Sequence, residues 1–376
     1  MKAVVFHGPG DVSVEEVPEP TVQHPEDAVV QVTMAAICGT DLHPYRGTRP
    51  LPPGTIMGHE FVGIVAAVGP NVRNLRPGDR VLVPATIGCG YCAHCTAGLF
   101  AHCLTLNPNG RGTAYFGTPR YPGGQAELVR VPFATVGPVP IPSDMTDEQA
   151  ILLTDALPTG YFAVRSAGVR PGDSVAVFGV GPVGLSALEC ARLLGAARIF
   201  AIDGVAGRLD LAARRGFETV NFLQTDPVQA VMDLTGGMGV DVAIDAVGLD
   251  ARCQAGVHHP PDAHDDRSQA LRWAAAVTRP YGRLGVVGAY GDLVDQFPIG
   301  EIYGRNLSLN GGVCHHRTYI PELLQHVRLN NLDPLFMVTD TLPLEQAPEA
   351  YRLFDQEPDR HVKILLETPA GPRIPG

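Results

Sequence analysis

Ser174-Val175-Ala176-Val177-Phe178-Gly179-Val180-Gly181-Pro182-Val183-Gly184 joins an apolar run to three glycines spaced G-x-G-x-x-G, and a helix-like segment follows. Such glycines alone are weak evidence, but set between strand and helix they mark a dinucleotide-binding turn. Gly179 permits the tight turn, Gly181 lets the backbone approach a pyrophosphate, and Gly184 lets the helix pack on the strand. Pro182 and Val183 open the helix, whose free N–H groups and dipole favour the anion. The plain alternative is an ordinary packed βα turn.

Outward from this stretch, apolar runs alternate with helical stretches from about residue 158. Strands are predicted at about 174–179, 197–202, 218–222, 240–246 and 282–288, and helices at about 182–195, 206–216, 226–235 and 267–278. That alternation predicts a parallel sheet built from βαβ units. Asp203 ends the second strand, about twenty residues past the glycines, where an acid hydrogen-bonds an adenosine ribose and repels a 2′-phosphate. Gly204 follows it, so NAD is expected over NADP. Arg208 either reaches back to the same ribose or is a solvated helix-surface arginine. The first third reads instead as β-rich, with short runs such as Ala28–Val32, Phe61–Val68, Arg80–Pro84 and Gln125–Val131 between Gly, Pro and Asp. After about 310 the texture is mixed, and the tail from Pro369 reads as disordered.

The chain has 376 residues, 45% of them hydrophobic, which suits a large core in two or three domains. A formal charge of −11 argues against nucleic acid or an anionic membrane as the main partner. No apolar run approaches the roughly 18 residues of a membrane span. Lysine occurs only at 2 and 363, an Arg bias read as genome composition. Free cysteines without a signal-like segment point to a cytoplasmic location.

Half of the 8 cysteines lie in one loop as Cys89, Cys92, Cys95 and Cys103. Four thiolates so spaced can close a tetrahedron around one zinc ion, leaving no open corner, so the site is expected to be structural. Two disulfides would suit a small secreted protein better than this long chain. Bacterial ferredoxin spacing wants a shorter final gap and a proline after the last cysteine, where this chain has Leu104.

A second constellation is spread along the chain. Cys38, His59 and Asp155 offer thiolate, imidazole and carboxylate, and three protein ligands leave a fourth position for water or substrate. Glu60, next to His59, either ligates in the resting state or tunes the ion from outside. Thr40, two residues after Cys38, is placed to take a proton from a substrate oxygen. His43 suits a later proton step because an imidazole titrates near 6.5. Singly, each residue has a bland reading: a buried cysteine, a cap, a surface histidine.

These pieces in this order resemble the zinc-dependent medium-chain alcohol dehydrogenases over essentially the whole chain. The resemblance implies an α/β fold: a GroES-like β-rich catalytic domain at 1–157 with a structural-zinc lobe at about 87–106, a Rossmann-type doubly wound parallel sheet at 158–310, and a return to the catalytic domain at 311–376. It implies two zinc ions per chain, NAD, a small alcohol or aldehyde substrate, and a homodimer or homotetramer. It further implies that Thr159, Val247, Val287, Gly288 and Ala289 line the cofactor, and that a proton relay runs from Thr40 through the nicotinamide ribose to His43. Tyr121–Glu127, Thr154–Tyr161 and an extra loop from about Leu249 to Asp266 are similar to the glutathione-independent formaldehyde dehydrogenases and dismutases. In those enzymes a comparable loop covers the adenine end. The region after Gly291 is shorter than in that branch. Dismutation with tightly held NAD and polyol oxidation are the rival activities. A solvated loop is the expectation for His258, His259 and His264, a core position for Cys190, and an approach to a subunit contact for Cys314, His315 and His316.

Overall fold

Strand Ala28–Ala36 runs directly into Cys38, and strand Glu60–Val68 begins at the residue after His59. Their antiparallel register opposes Ala36 to Glu60, so the two strand ends deliver Cys38 and His59 side by side. In the computed structural model, residues 1–248, 268–291 and 297–369 are described. They form two compact units, 1–158 with 315–376 and 159–314.

The first unit carries a seven-stranded sheet. Asp340–Pro343, Ile364–Glu367, Ala28–Ala36, Glu60–Val68, Arg80–Val83 and Val139–Pro140 lie in that order, and Leu128–Val131 also pairs with Ala28–Ala36. Strand Ile364–Glu367 opposes Leu365 to Ala36, which sets Lys363 at the same end of the sheet as Cys38 and His59. A smaller sheet of Asp11–Glu16, Lys2–Gly8 and Thr55–Ile56 completes the unit. Its core is aliphatic and aromatic, with Phe61, Phe116, Tyr351 and Phe354 almost wholly enclosed. The first hairpin, Lys2–Gly8 with Asp11–Glu16, goes beyond the strands read in the sequence.

The second unit is a six-stranded sheet, parallel throughout: Glu218–Asn221, Arg198–Asp203, Ser174–Phe178, Val240–Asp245, Thr278–Val286 and Ser308–Gly311. Numbered along this unit the order is 3-2-1-4-5-6, the doubly wound arrangement whose crevice opens beyond the first and fourth strands. Helices Pro182–Leu193, Ala206–Arg214, Pro227–Leu234 and Gln269–Val277 fall where the sequence predicts them. Two strands differ from expectation. Thr278–Val286 starts four residues early, through an irregular stretch containing Pro280 and a left-handed Tyr281. Ser308–Gly311 is short, exposed and glycine-ended, and lacks the apolar signature of a central strand. No helix among the described residues is long and apolar enough to cross a membrane.

Candidate functional site

Cys38, His59, Glu60 and Asp155 each present one ligand atom, and these atoms all lie within 4.8 Å of one another. Thr154, just before Asp155, is tied to the segment that follows strand Arg80–Val83: its carbonyl accepts the Ala85 N–H at 3.0 Å. Asp155 Oδ2 stands 3.4 Å from both Cys38 Sγ and His59 Nε2. Gly58, before His59, has φ +90°, and a side chain there would meet Gln125 at 2.3 Å.

Several residues that support this cluster were not assigned to it from the sequence. Asp41 Oδ1 faces His59 Nδ1 at 3.4 Å, leaving Nε2 toward the cluster. Asp41 Oδ2 accepts the Cys38 N–H at 3.0 Å, so one carboxylate holds both neighbours. Gln125 reaches Asp41 and is held in turn by the Tyr351 hydroxyl. Lys363 Nζ donates to Glu60 Oε2 and to the Ile37 carbonyl, with neither charged side chain exposed. His316 Nε2 lies 2.6 Å from Asp155 Oδ1. Cys314 and His316 are both buried, so this segment turns inward and does not offer those side chains to a subunit contact.

The electrostatics favour a cation. Burial, then the nearby Asp155, pushes the Cys38 thiol up to about 11. Burial likewise lifts the Glu60 carboxyl to about 7, despite Lys363. Glu60 Oε1 is buried without a hydrogen-bond partner. Sulfur, imidazole and carboxylate around a common point fit a zinc ion, which would lower the cost of thiolate and carboxylate charge there. Thr40 Oγ1 is 3.2 Å from His59 Nε2, at the edge of this group. His43 lies in the following turn, Leu42–Tyr45, half-buried.

The cysteine quartet also converges. Cys89 Sγ is 3.9 Å from Cys95 Sγ, and Cys92 Sγ is 4.0 Å from Cys103 Sγ. A disulfide requires about 2.05 Å, whereas sulfurs about 2.3 Å from a central zinc stand roughly 3.8 Å apart. Backbone N–H groups of Cys95 and Leu104 point at Cys92 Sγ, and those of Cys92 and Cys89 at the sulfurs of Cys89 and Cys103. Such donors stabilise thiolate. At Cys92 they outweigh burial and hold the thiol at about 6.

In the second unit, the glycines behave as their spacing predicts. Gly179 has φ +81°, and a side chain on Gly184 would sit 1.9 Å from the Gly179 carbonyl oxygen. Around Gly181 the space is open, its nearest neighbour being Arg208 at 3.7 Å. Asp203 accepts the N–H groups of Val180, Gly204 and Val205. Arg208 Nη1 lies 3.9 Å from the Asp203 carboxylate, with its side chain partly buried. Asp245, also missed in the sequence, is wholly buried and accepts from Val247 N, Gly248 N and the Tyr290 hydroxyl. It ties Val247 to the segment of Val287, Gly288 and Ala289, whose Val287 and Gly288 N–H groups bind the Asp245 carbonyl. Thr159 is half-buried in helix Ala156–Ser166. Cys190 is fully buried. The loop at 249–266 with its histidines, and the tail beyond 369, lie outside the described residues.

Comparison with known proteins places these features in a family. Residues 24–141 match the alcohol dehydrogenase GroES-like domain, and residues 182–259 the zinc-binding dehydrogenase domain. A zinc-type alcohol dehydrogenase-like protein of Bacillus subtilis is 38% identical, covering 98% of this chain and 100% of its own. The glutathione-independent formaldehyde dehydrogenase of Pseudomonas aeruginosa is 33% identical, covering 94% of each. Among solved structures, an alcohol dehydrogenase from Thermus sp. ATN1 superposes with a TM-score of 0.85 at 38% identity, covering 98% of this chain and all of its own.

Proposed function

We propose, for a chain that belongs to the zinc-type medium-chain alcohol dehydrogenase family, that it interconverts small alcohols and aldehydes with NAD as hydride partner. The observation that carries this reading is the convergence of Cys38, His59, Glu60 and Asp155 on one buried point. Cys38, His59 and Asp155 would hold a catalytic zinc, with Glu60 beside it, and Cys89, Cys92, Cys95 and Cys103 a structural one. When bound, the zinc supplies Lewis-acid polarisation of a substrate oxygen and the nicotinamide exchanges the hydride.

The chain's own residues do the remaining work. Asp41 fixes the His59 ring so that Nε2 faces the cluster. Thr40, hydrogen-bonding at the cluster's edge, takes or returns the substrate proton. His43 exchanges that proton with solvent. Gly181 and Val183 present backbone N–H groups and space to a pyrophosphate, and Pro182, which has no N–H of its own, opens the helix behind them. Asp203 binds the adenosine ribose and disfavours a 2′-phosphate, the basis for choosing NAD. Thr159, Val247, Val287, Gly288 and Ala289 line the remainder of the nucleotide site, with Arg208 beside the ribose.

The test is a screen for NADH formation from formaldehyde, short primary alcohols, secondary alcohols and polyols, using protein with both metal sites filled. If none reacts, the assignment fails. Likeness to a formaldehyde dehydrogenase favours one rival, aldehyde dismutation with NAD held through each turnover. Mass spectrometry of gently purified, then denatured protein separates the two, because nucleotide retained in stoichiometric amount is the mark of the dismutase.

A further inference from the structure

Asp155 uses its two carboxylate oxygens differently. Oδ2 faces Cys38 Sγ and His59 Nε2, each at 3.4 Å. Oδ1 turns away to His316 Nε2 at 2.6 Å. The other imidazole nitrogen, Nδ1, is 3.1 Å from the Thr86 hydroxyl. With Thr86 donating to Nδ1, the proton of a neutral ring sits on Nε2 and is given to Asp155. Both His316 and Thr86 are buried, so water does not compete for these bonds.

The histidine is also firmly mounted. It opens the 13-residue helix His316–Arg328. On one side His315 stacks its ring edgewise on His102, 5.7 Å between centroids. On the other, Arg317 Nε donates to the Val136 carbonyl at 2.7 Å and Thr318 Oγ1 to the Gly98 carbonyl at 2.6 Å. Residues on both sides of His316 are thus fastened to the same unit that holds Asp155.

A carboxylate can grip a metal with one oxygen or with both, and the second oxygen would occupy the position a substrate needs. We propose that His316 is a positioning residue that engages Asp155 Oδ1, confines Asp155 to one-oxygen coordination of the catalytic metal, and thereby keeps a coordination position open. Thr86 acts behind it by fixing the ring. The inference rests on the metal reading of Cys38, His59 and Asp155.

The test uses full-length protein with zinc at the four-cysteine site and cobalt(II) at the other. Wild-type protein must take up the cobalt with a thiolate charge-transfer band; if it does not, the metal reading itself fails. Given that band, His316→Ala is expected to release cobalt to a chelator about 10-fold faster, the low end for loss of an outer partner. Its ligand-field bands should weaken as the coordination number rises, and added azide should perturb them less. His316→Gln, whose amide can still donate to Asp155, should recover most of both properties. Release within twofold of wild type by a folded His316→Ala, with unchanged bands, overturns the proposal. So does a His316→Gln variant as impaired as His316→Ala. Should neither variant fold, Thr86→Val decides in the same assay: faster release supports the proposal and a wild-type rate refutes it.

Discussion

Lys363 and Glu60 form an ion pair in which neither side chain has any solvent exposure. They are 303 residues apart in sequence and meet because strand Ile364–Glu367 pairs beside strand Ala28–Ala36. Breaking such a pair leaves an uncompensated buried charge, which costs about 3–5 kcal/mol. Lys363→Met should therefore lower the unfolding free energy of metal-loaded protein, measured by urea denaturation, by an amount in that range. Adding Glu60→Gln to it should restore part of the loss, and a double variant no better than Lys363→Met would contradict the pairing.

The two metal centres should separate under mutation. His59→Ala removes a ligand from the open site, and activity should fall by more than the roughly 10- to 100-fold typical of outer partners. Its circular dichroism and melting temperature should stay close to wild type. Cys95→Ser breaks the closed site and should show first as a lower melting temperature and lower solubility. Equal unfolding in both variants would erase the distinction.

Glycines 181 and 184 make a matched pair. A methyl at Gly184 would overlap the Gly179 carbonyl oxygen at 1.9 Å, so Gly184→Ala must push helix from strand. It should reduce both stability and nucleotide affinity. Gly181→Ala meets nothing closer than Arg208 at 3.7 Å. Its melting temperature should hardly move while nucleotide binding, followed by calorimetry, weakens.

Asp203 is the expected selector of NAD. Loss of a charge-assisted hydrogen bond worth about 1.5–3 kcal/mol corresponds to roughly 10- to 100-fold in kcat/KM for NAD. Asp203→Ala also strips the acceptor from Val180, Gly204 and Val205 N–H groups, so some stability should go with it. Asp203→Asn keeps part of that acceptor role, and its NAD-to-NADP preference should fall with less destabilisation. An unchanged preference ratio in both variants would remove Asp203 from the ribose.

Acid should act partly through His315. Burial, then the nearby His102 and His316, lowers its imidazole to about 4, against about 6.5 in an unfolded chain. Between those values the unfolded chain binds the proton first, so the stability contributed by His315 is complete above about 6.5 and is lost as pH falls through about 4. His315→Gln should flatten the stability-against-pH curve in that window relative to wild type. Parallel curves would show that the ring does not titrate as its surroundings imply.

What the sequence made legible was local. The glycine turn, the cysteine quartet and the Cys38, His59, Asp155 set were readable because each is a short motif with a chemical reason for its spacing. The six-stranded sheet followed from alternation, except at Ser308–Gly311, where exposure removes the apolar signal. The partners were hidden because register creates them. His316 lies 161 residues from Asp155 and reads as one of a histidine pair after two glycines. Lys363 had a signal, a lysine inside Val362-Lys363-Ile364-Leu365-Leu366 in a chain with only one other. Asp245 ends an apolar strand as Asp203 does, yet only the turn that folds back over it reveals the work of its carboxylate.

Of the four lobe cysteines, Cys92 is the one that is not buried, and its N–H donors keep it largely thiolate at neutral pH. Peroxide arriving from solvent would meet this sulfur before the enclosed Cys38. The lobe also grips the helix that begins at His316, through Gly98 and His102. Oxidative inactivation would then begin outside the open site, with the lobe losing its ion, the helix slackening, and turnover fading while every ligand of the open site stays chemically whole.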